Sequence, residues 1–197
     1  MLNLPNILTL MRIVMIPVFC VVYYLPYHWG HPAASGIFFL ACLTDWLDGY
    51  LARVLKLSTP FGAFLDPVAD KMMVSIALVM IVAERQFQYM NLPDVVMIIP
   101  AFIVTMPAAI IVSREILVSA LREWMAEVGQ RKSVVVSSVG KIKTFVQMSA
   151  LTVLAYCSPW TNLYIVLFGY VLLCIAAILT IWSMILYLKA AWPQFKS

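Results

Sequence analysis

The sequence predicts an all-α integral membrane protein, a bundle of six transmembrane helices with both termini in the cytoplasm, and three observations carry that expectation. Of the 197 residues, 64% are hydrophobic and only 11% are Asp, Glu, Lys or Arg, with a mean hydropathy of +0.97, far from the balance of a soluble domain. Six stretches approach the roughly 20 apolar residues that cross a hydrocarbon core roughly 30 Å thick at about 1.5 Å rise per residue. Lys and Arg gather at alternate ends of those stretches, as they do when cations are retained in the cytoplasm.

The first span is Ile7–Leu25. No basic segment precedes it and Arg12 lies inside it, so it reads as a retained helix and not a cleaved signal peptide. Asn6, Thr9 and Arg12 recur every third residue, a polar stripe able either to hydrogen-bond a nucleotide diphosphate or to satisfy backbone groups at the interface. The loop "PYHWGHP" follows; its His28 and His31 have no carboxylate partner, and no role is expected of them. Spans two and three, Ala33–Leu51 and Phe61–Ala83, hold four aspartates near their shared end, joined by the turn "VLKLSTP". Span four, Val95–Val112, contains Pro100 and Pro107, each of which removes a backbone donor, so a bend is expected.

The longest hydrophilic stretch, Arg114–Lys143, opens as "REILVSALREWMAE". Ile116, Leu117, Ala120, Leu121 and Trp124 recur there at helical spacing, which predicts that span four continues as an amphipathic helix ending near Gly129. Spans five and six are Thr144–Tyr156 and Leu163–Leu188. On the opposite side, the loops "PYHWGHP", "ERQFQYMNLPD" and "CSPWTN" carry a single cation, Arg85. Cys20, Cys42, Cys157 and Cys174 stand singly in apolar surroundings and say nothing about disulfides. With no linker or repeat, residues 1–197 read as one domain.

The aspartates are the functional signal. A carboxylate at the centre of a spanning helix costs about 2.5–3.5 kcal/mol on insertion scales, so four of them imply use. At about 100° per residue, Asp45, Asp48, Gly49, Ala52 and Arg53 share one broad helical face, and Gly62, Asp66 and Asp70 form a stripe on the next helix. Two antiparallel helices thus offer two carboxylates each to one cleft, where they would repel one another unless cations lay between them. An all-oxygen set of this kind suits hard divalent ions such as Mg²⁺ or Mn²⁺, and two ions about 3.5–4 Å apart would match the number of carboxylates. Gly49, Ala52 and Gly62 leave room for a ligand or for a neighbouring helix, Arg53 is placed either to neutralise a phosphate or to mark topology, and Lys71 either pairs with a carboxylate or reaches to the interface.

The pattern D-x-x-D-G-x-x-A-R, eight residues, then G-x-x-x-D-x-x-x-D resembles the signature of the CDP-alcohol phosphatidyltransferases, without departure at its eight positions. The segments "NLPNILTLMR", "FGAFLDPVADK", "REILVSALREWMAE" and "GKIKTFVQM" resemble the bacterial branch that uses CDP-diacylglycerol and sn-glycerol 3-phosphate, with a weaker match at Glu84–Thr105. The resemblance implies six membrane helices, a homodimer in the bacterial inner membrane and a cytoplasm-facing site with two divalent ions. An alcohol would attack the β-phosphorus of the CDP-linked lipid and CMP would leave. Asp45, Asp48 and Asp66 would ligate metal, and Asp70 would share metal binding with general-base work. Gly49, Ala52 and Arg53 would line the CDP-lipid pocket, with Gly62, Asn6 and Thr9 beside them.

An acceptor carrying a phosphate calls for cations near the cleft, and Arg114, Arg122, Lys141 and Lys143 are those available. Arg114 and Arg122, eight residues apart, lie about 80° apart on a continuous helix and can face one site; Glu115 and Glu123 beside them either tether cations or are solvated. Two alternatives stay open at this point: a different acceptor, such as serine, inositol phosphate or a lipid alcohol, and an ion-coupled transporter using the four carboxylates.

Overall fold

The computed structural model describes residues 4–55, 60–84, 89–91, 96–98, 100–128 and 138–192. Among them are six helices: α1 (Leu4–Tyr23), α2 (Gly30–Leu55), α3 (Pro60–Ala83), α4 (Phe102–Glu127), α5 (Ser138–Tyr156) and α6 (Leu163–Ala191). Alternating helix directions bring the starts of α3 and α5 to the same end of the bundle as the ends of α2, α4 and α6. α1 packs on α2 and α3, α5 on α2 and α6, and α4 chiefly on α6, whereas α2 and α3 scarcely touch each other directly.

Three of the helices, α1, α4 and α6, are long and apolar enough to cross a membrane by length and composition. α2 and α3 spend part of their length on the aspartates, and α5 begins with Lys141, Lys143 and Gln147; these three fall outside that criterion. Phe19, Phe38, Leu78, Ile81, Ile111, Leu151, Leu154 and Leu173 are all buried, and Ala34, Ala41, Ala77, Ala150 and Ala176 among them let the helix axes come close. One close approach is at Gly169, where a Cβ would lie 2.6 Å from a Leu154 methyl carbon. Outward-facing side chains such as Val14, Val21, Phe39, Val79, Phe168 and Ile178 are also apolar, the surface a bilayer solvates. Tyr24, Tyr27, Trp29, Trp160 and Tyr164 cluster at one end of the bundle and Trp46, Tyr50 and Trp192 toward the other, the distribution of aromatic rings at two membrane interfaces.

Several boundaries differ from the sequence reading. Residues Val96–Ile98 do not begin a fourth span; they pair as strand β2 with β1 (Tyr89–Asn91) in a short antiparallel ladder, Met90 opposite Met97. β-branched residues favour that extended run, and α4 starts only at Phe102, after Pro100. Pro100 therefore precedes the helix and only Pro107 lies within it. α2 runs on through Val54 and Leu55 and α3 begins at Pro60, so the ends of "VLKLSTP" are helical and its middle lies outside the described residues; α5 begins six residues before Thr144. α4 ends at Glu127, with the Val128 N–H bonded to the Trp124 carbonyl; Gly129 lies outside the described residues. The turn into α6 is closed by the Ser158 N–H donating to Thr161 Oγ1 at 2.8 Å and by Asn162, whose side chain accepts from the Tyr164 N–H at 3.0 Å. His31, at the start of α2, packs edge-on against Tyr23, 4.7 Å between ring centroids.

Candidate active site

The polar stripe of α1 enters the gap that α2 and α3 leave between them. Asn6, Thr9 and Arg12 are all buried, Arg12 at 1% exposure. The Thr9 hydroxyl donates to Asp66. Arg12 reaches three carboxylates: Nη1 pairs with Asp45 at 3.0 Å and with Asp70, and Nη2 with Asp48. Helical spacing explains the convergence, since the stripe of α1 projects residues three apart onto α3, while Asp45 and Asp48 share the facing side of α2. Asp48 is buried, whereas Asp45 and Asp70 each leave 38% of the side chain open to a cavity.

That cavity, of about 380 Å³, has Asp45, Asp66, Asp70 and Lys71 on one wall and Arg114, Glu115, Arg122, Lys143, Gln147 and Tyr187 on the other. Its size falls in the range of small-molecule sites. The cationic wall is built in layers. Arg114 donates through Nη2 to the Ser183 hydroxyl at 3.0 Å and through Nη1 to Glu115 at 3.2 Å; Lys143 also donates to Glu115. Arg122 donates to the Tyr187 hydroxyl at 3.0 Å. The Tyr187 ring lies within cation–π distance of both guanidinium carbons, 5.5 Å from that of Arg114 and 5.2 Å from that of Arg122, so its π electrons offset some of their mutual repulsion.

Thus Asp45, Asp66, Asp70, Arg114, Arg122 and Lys143 are brought to one cavity, and Asp48 stands behind it on Arg12. The side chains of Ala52, Arg53 and Lys141 lie outside the described residues. A Cβ at Gly49 would meet no atom within 4 Å, so close helix packing is not what this glycine serves; Gly62 is buried. Thr9 spends its donor on Asp66, and Asn6 is buried with it. Three residues escaped the sequence reading in these roles: Arg12 as partner of the aspartates, and Ser183 and Tyr187 as supports for the arginines. The spacing of Thr180, Ser183 and Tyr187 along one side of an otherwise apolar helix was the available signal.

The carboxylates suit a hard divalent ion by their chemistry, four oxygen-donor side chains from two helices without sulfur or imidazole. Among the described residues no three acidic, His or Cys side chains already form a metal-ligand group, and Asp45, Asp48 and Asp70 are each paired with Arg12.

A helical bundle with a carboxylate cleft opening beside a cationic wall is the arrangement of an enzyme handling phosphates, and comparison with known proteins defines its class. Residues 2–182 match the family model for CDP-alcohol phosphatidyltransferase, and the chain belongs to that family. It is 50% identical over 196 residues to a Pseudomonas fluorescens protein named CDP-diacylglycerol–glycerol-3-phosphate 3-phosphatidyltransferase, covering 99% of this chain and 93% of the relative. Proteins of the same name from Yersinia enterocolitica and Salmonella paratyphi A are 51% and 48% identical, covering 98% and 96% of this chain and 97% and 94% of theirs.

Proposed function

We propose that this protein transfers the phosphatidyl group of CDP-diacylglycerol to sn-glycerol 3-phosphate, giving phosphatidylglycerol phosphate and CMP. The observation that carries the acceptor assignment is the meeting of Asp45, Asp66 and Asp70 with Arg114, Arg122 and Lys143 across one cavity. An acceptor with its own phosphate needs such a cationic wall; serine does not. The naming of the relatives supports the same pair of substrates.

In this reading the C1 hydroxyl oxygen of the acceptor forms a bond to the β-phosphorus, and the bond from that phosphorus to the bridging oxygen breaks, so that oxygen departs with CMP. Asp70, open to the cavity, accepts the hydroxyl proton. Arg114, Arg122 and Lys143 hold the acceptor phosphate, with Lys141 beside them, and so orient the C1 hydroxyl toward the aspartates. Asp45, Asp48, Asp66 and Asp70 would hold two divalent ions, Mg²⁺ or Mn²⁺, which when bound supply the positive charge that makes phosphorus electrophilic and stabilises the departing CMP. Gly49, Ala52, Arg53 and Gly62, with Asn6 and Thr9, would receive the CDP-lipid; the open space over Gly49 supports that placement.

The whole chain acts as one membrane domain of six spans, as a homodimer in the bacterial inner membrane, with both termini and the cavity facing the cytoplasm. The lipid then keeps its acyl chains in the bilayer while its nucleotide is reached from the water side. The test is CMP release by purified protein given CDP-diacylglycerol, Mg²⁺ or Mn²⁺, and separately glycerol 3-phosphate, serine or inositol phosphate. Release that requires glycerol 3-phosphate is expected; release that requires serine and ignores glycerol 3-phosphate would overturn the acceptor assignment.

A further inference from the structure

Arg12 is a cation buried on a membrane helix, a costly placement unless it is paired. Its pairing has three features beyond simple neutralisation. First, one fork spans two helices: Nη1 binds Asp45 of α2 and Asp70 of α3, and Nη2 binds Asp48 of α2. Second, α2 and α3 scarcely touch each other, so this side chain of α1 ties them where the carboxylates face one another. Third, the fork is incompletely satisfied, because the buried Nε–H has no partner among the described residues. A permanent structural ion pair of this kind is normally satisfied at every donor.

The guanidinium is paired with oxygens of Asp45, Asp48 and Asp70, the same side chains that would ligate the metal. A divalent ion and the guanidinium compete for the same oxygens. We propose that Arg12 is the resident counter-ion of the metal-free cleft, and that its guanidinium must leave Asp45, Asp48 and Asp70 before divalent metal can load. Arg12 thereby keeps the two helices in register and the acidic cleft intact without metal, and weakens metal binding by the free energy needed to displace it. Differential occupancy of the same ligands makes the two states exclusive, and linkage requires that whatever draws the guanidinium away tightens metal binding.

The proposal rests on the reading of the aspartates as a metal site, and its test separates the two. Full-length protein in lipid nanodiscs, without nucleotide or acceptor, is titrated with Mn²⁺, and the free aqueous ion is measured by its paramagnetic resonance signal. Arg12→Met removes both fork and charge; Arg12→Lys keeps the charge but cannot bridge three carboxylates. Arg12→Met is expected to bind Mn²⁺ about ten-fold more tightly than wild type, or better, and Arg12→Lys to fall between them. In parallel, the thermal midpoint without metal falls in both variants, and saturating Mn²⁺ narrows the gap to wild type. Equal or weaker Mn²⁺ binding in both variants overturns the role of Arg12 while leaving the metal site standing. An Arg12→Lys affinity equal to wild type, beside tighter binding by Arg12→Met, overturns displacement in favour of a simple field effect. Wild-type protein that binds no Mn²⁺ overturns the metal site and this proposal together. Should Arg12→Met not fold, Arg12→Lys decides alone.

Discussion

Asp70 and Asp48 show why identical side chains on neighbouring helices need not do identical work: Asp48 is buried against Arg12, while Asp70 opens to the cavity where an acceptor hydroxyl can arrive. Asp70→Asn keeps shape and loses the proton acceptor, so turnover should fall by about 10²–10⁴-fold while CDP-lipid remains bound, checked by single-turnover CMP release alongside lipid-binding measurements. Near-normal turnover would remove Asp70 as the base. Tyr187 makes a second prediction at this scale. Tyr187→Phe loses the hydroxyl that accepts from Arg122 but keeps the ring against both arginines, whereas Tyr187→Ala loses both. The KM for glycerol 3-phosphate should therefore rise modestly in the first and more in the second, with the KM for CDP-diacylglycerol little changed. Fixed intervals made the aspartates and glycines readable from sequence, because helical geometry converts spacing directly into a shared face. Arg12 was not readable as their partner: its contacts cross 33 to 58 positions of chain, and only the packing of α1 between α2 and α3 brings them about. Tyr187 and Ser183 were hidden for another reason. α6 is apolar almost all round, so the only contrast on its buried side is the sparse spacing of Thr180, Ser183 and Tyr187, which marks a face without saying what it meets.

At the level of elements, composition located the helices well and their ends poorly. The start of α4 is the clearest case, since an apolar run from Val95 onward fits a membrane span by hydropathy, yet Val96–Ile98 find a ladder partner in Tyr89–Asn91 and the helix starts only after Pro100. Hydropathy measures transfer from water and does not distinguish a buried helix from a short paired strand. The α5–α6 contact is testable. Gly169 faces Leu154 so closely that a valine there would have to displace the Leu154 side chain or part the helices, at a cost of about 1–3 kcal/mol. Gly169→Val should lower the thermal midpoint measured by circular dichroism in detergent; an unchanged midpoint would mean that the two helices have room to spare.

Across the whole molecule, the charge asymmetry and the architecture point the same way: the starts of α1, α3 and α5 and the ends of α2, α4 and α6 carry the carboxylates, the arginines and Lys143, while the opposite end is aromatic and nearly uncharged. Epitope tags at both termini should be digested by protease in inverted vesicles and protected in right-side-out ones; opposite protection of the two tags would break the six-span arrangement. The central claim is that one cavity holds the acceptor's phosphate against the aspartate cleft, and Arg122 tests it most directly because it lines the cavity from the exposed side of α4. Steady-state kinetics of Arg122→Ala in nanodiscs, varying each substrate in turn, should show the KM for glycerol 3-phosphate raised about ten-fold or more, as loss of a charge-assisted contact contributing about 1.5–3 kcal/mol requires, with the KM for CDP-diacylglycerol nearly unchanged. An unaltered KM for glycerol 3-phosphate would contradict the account.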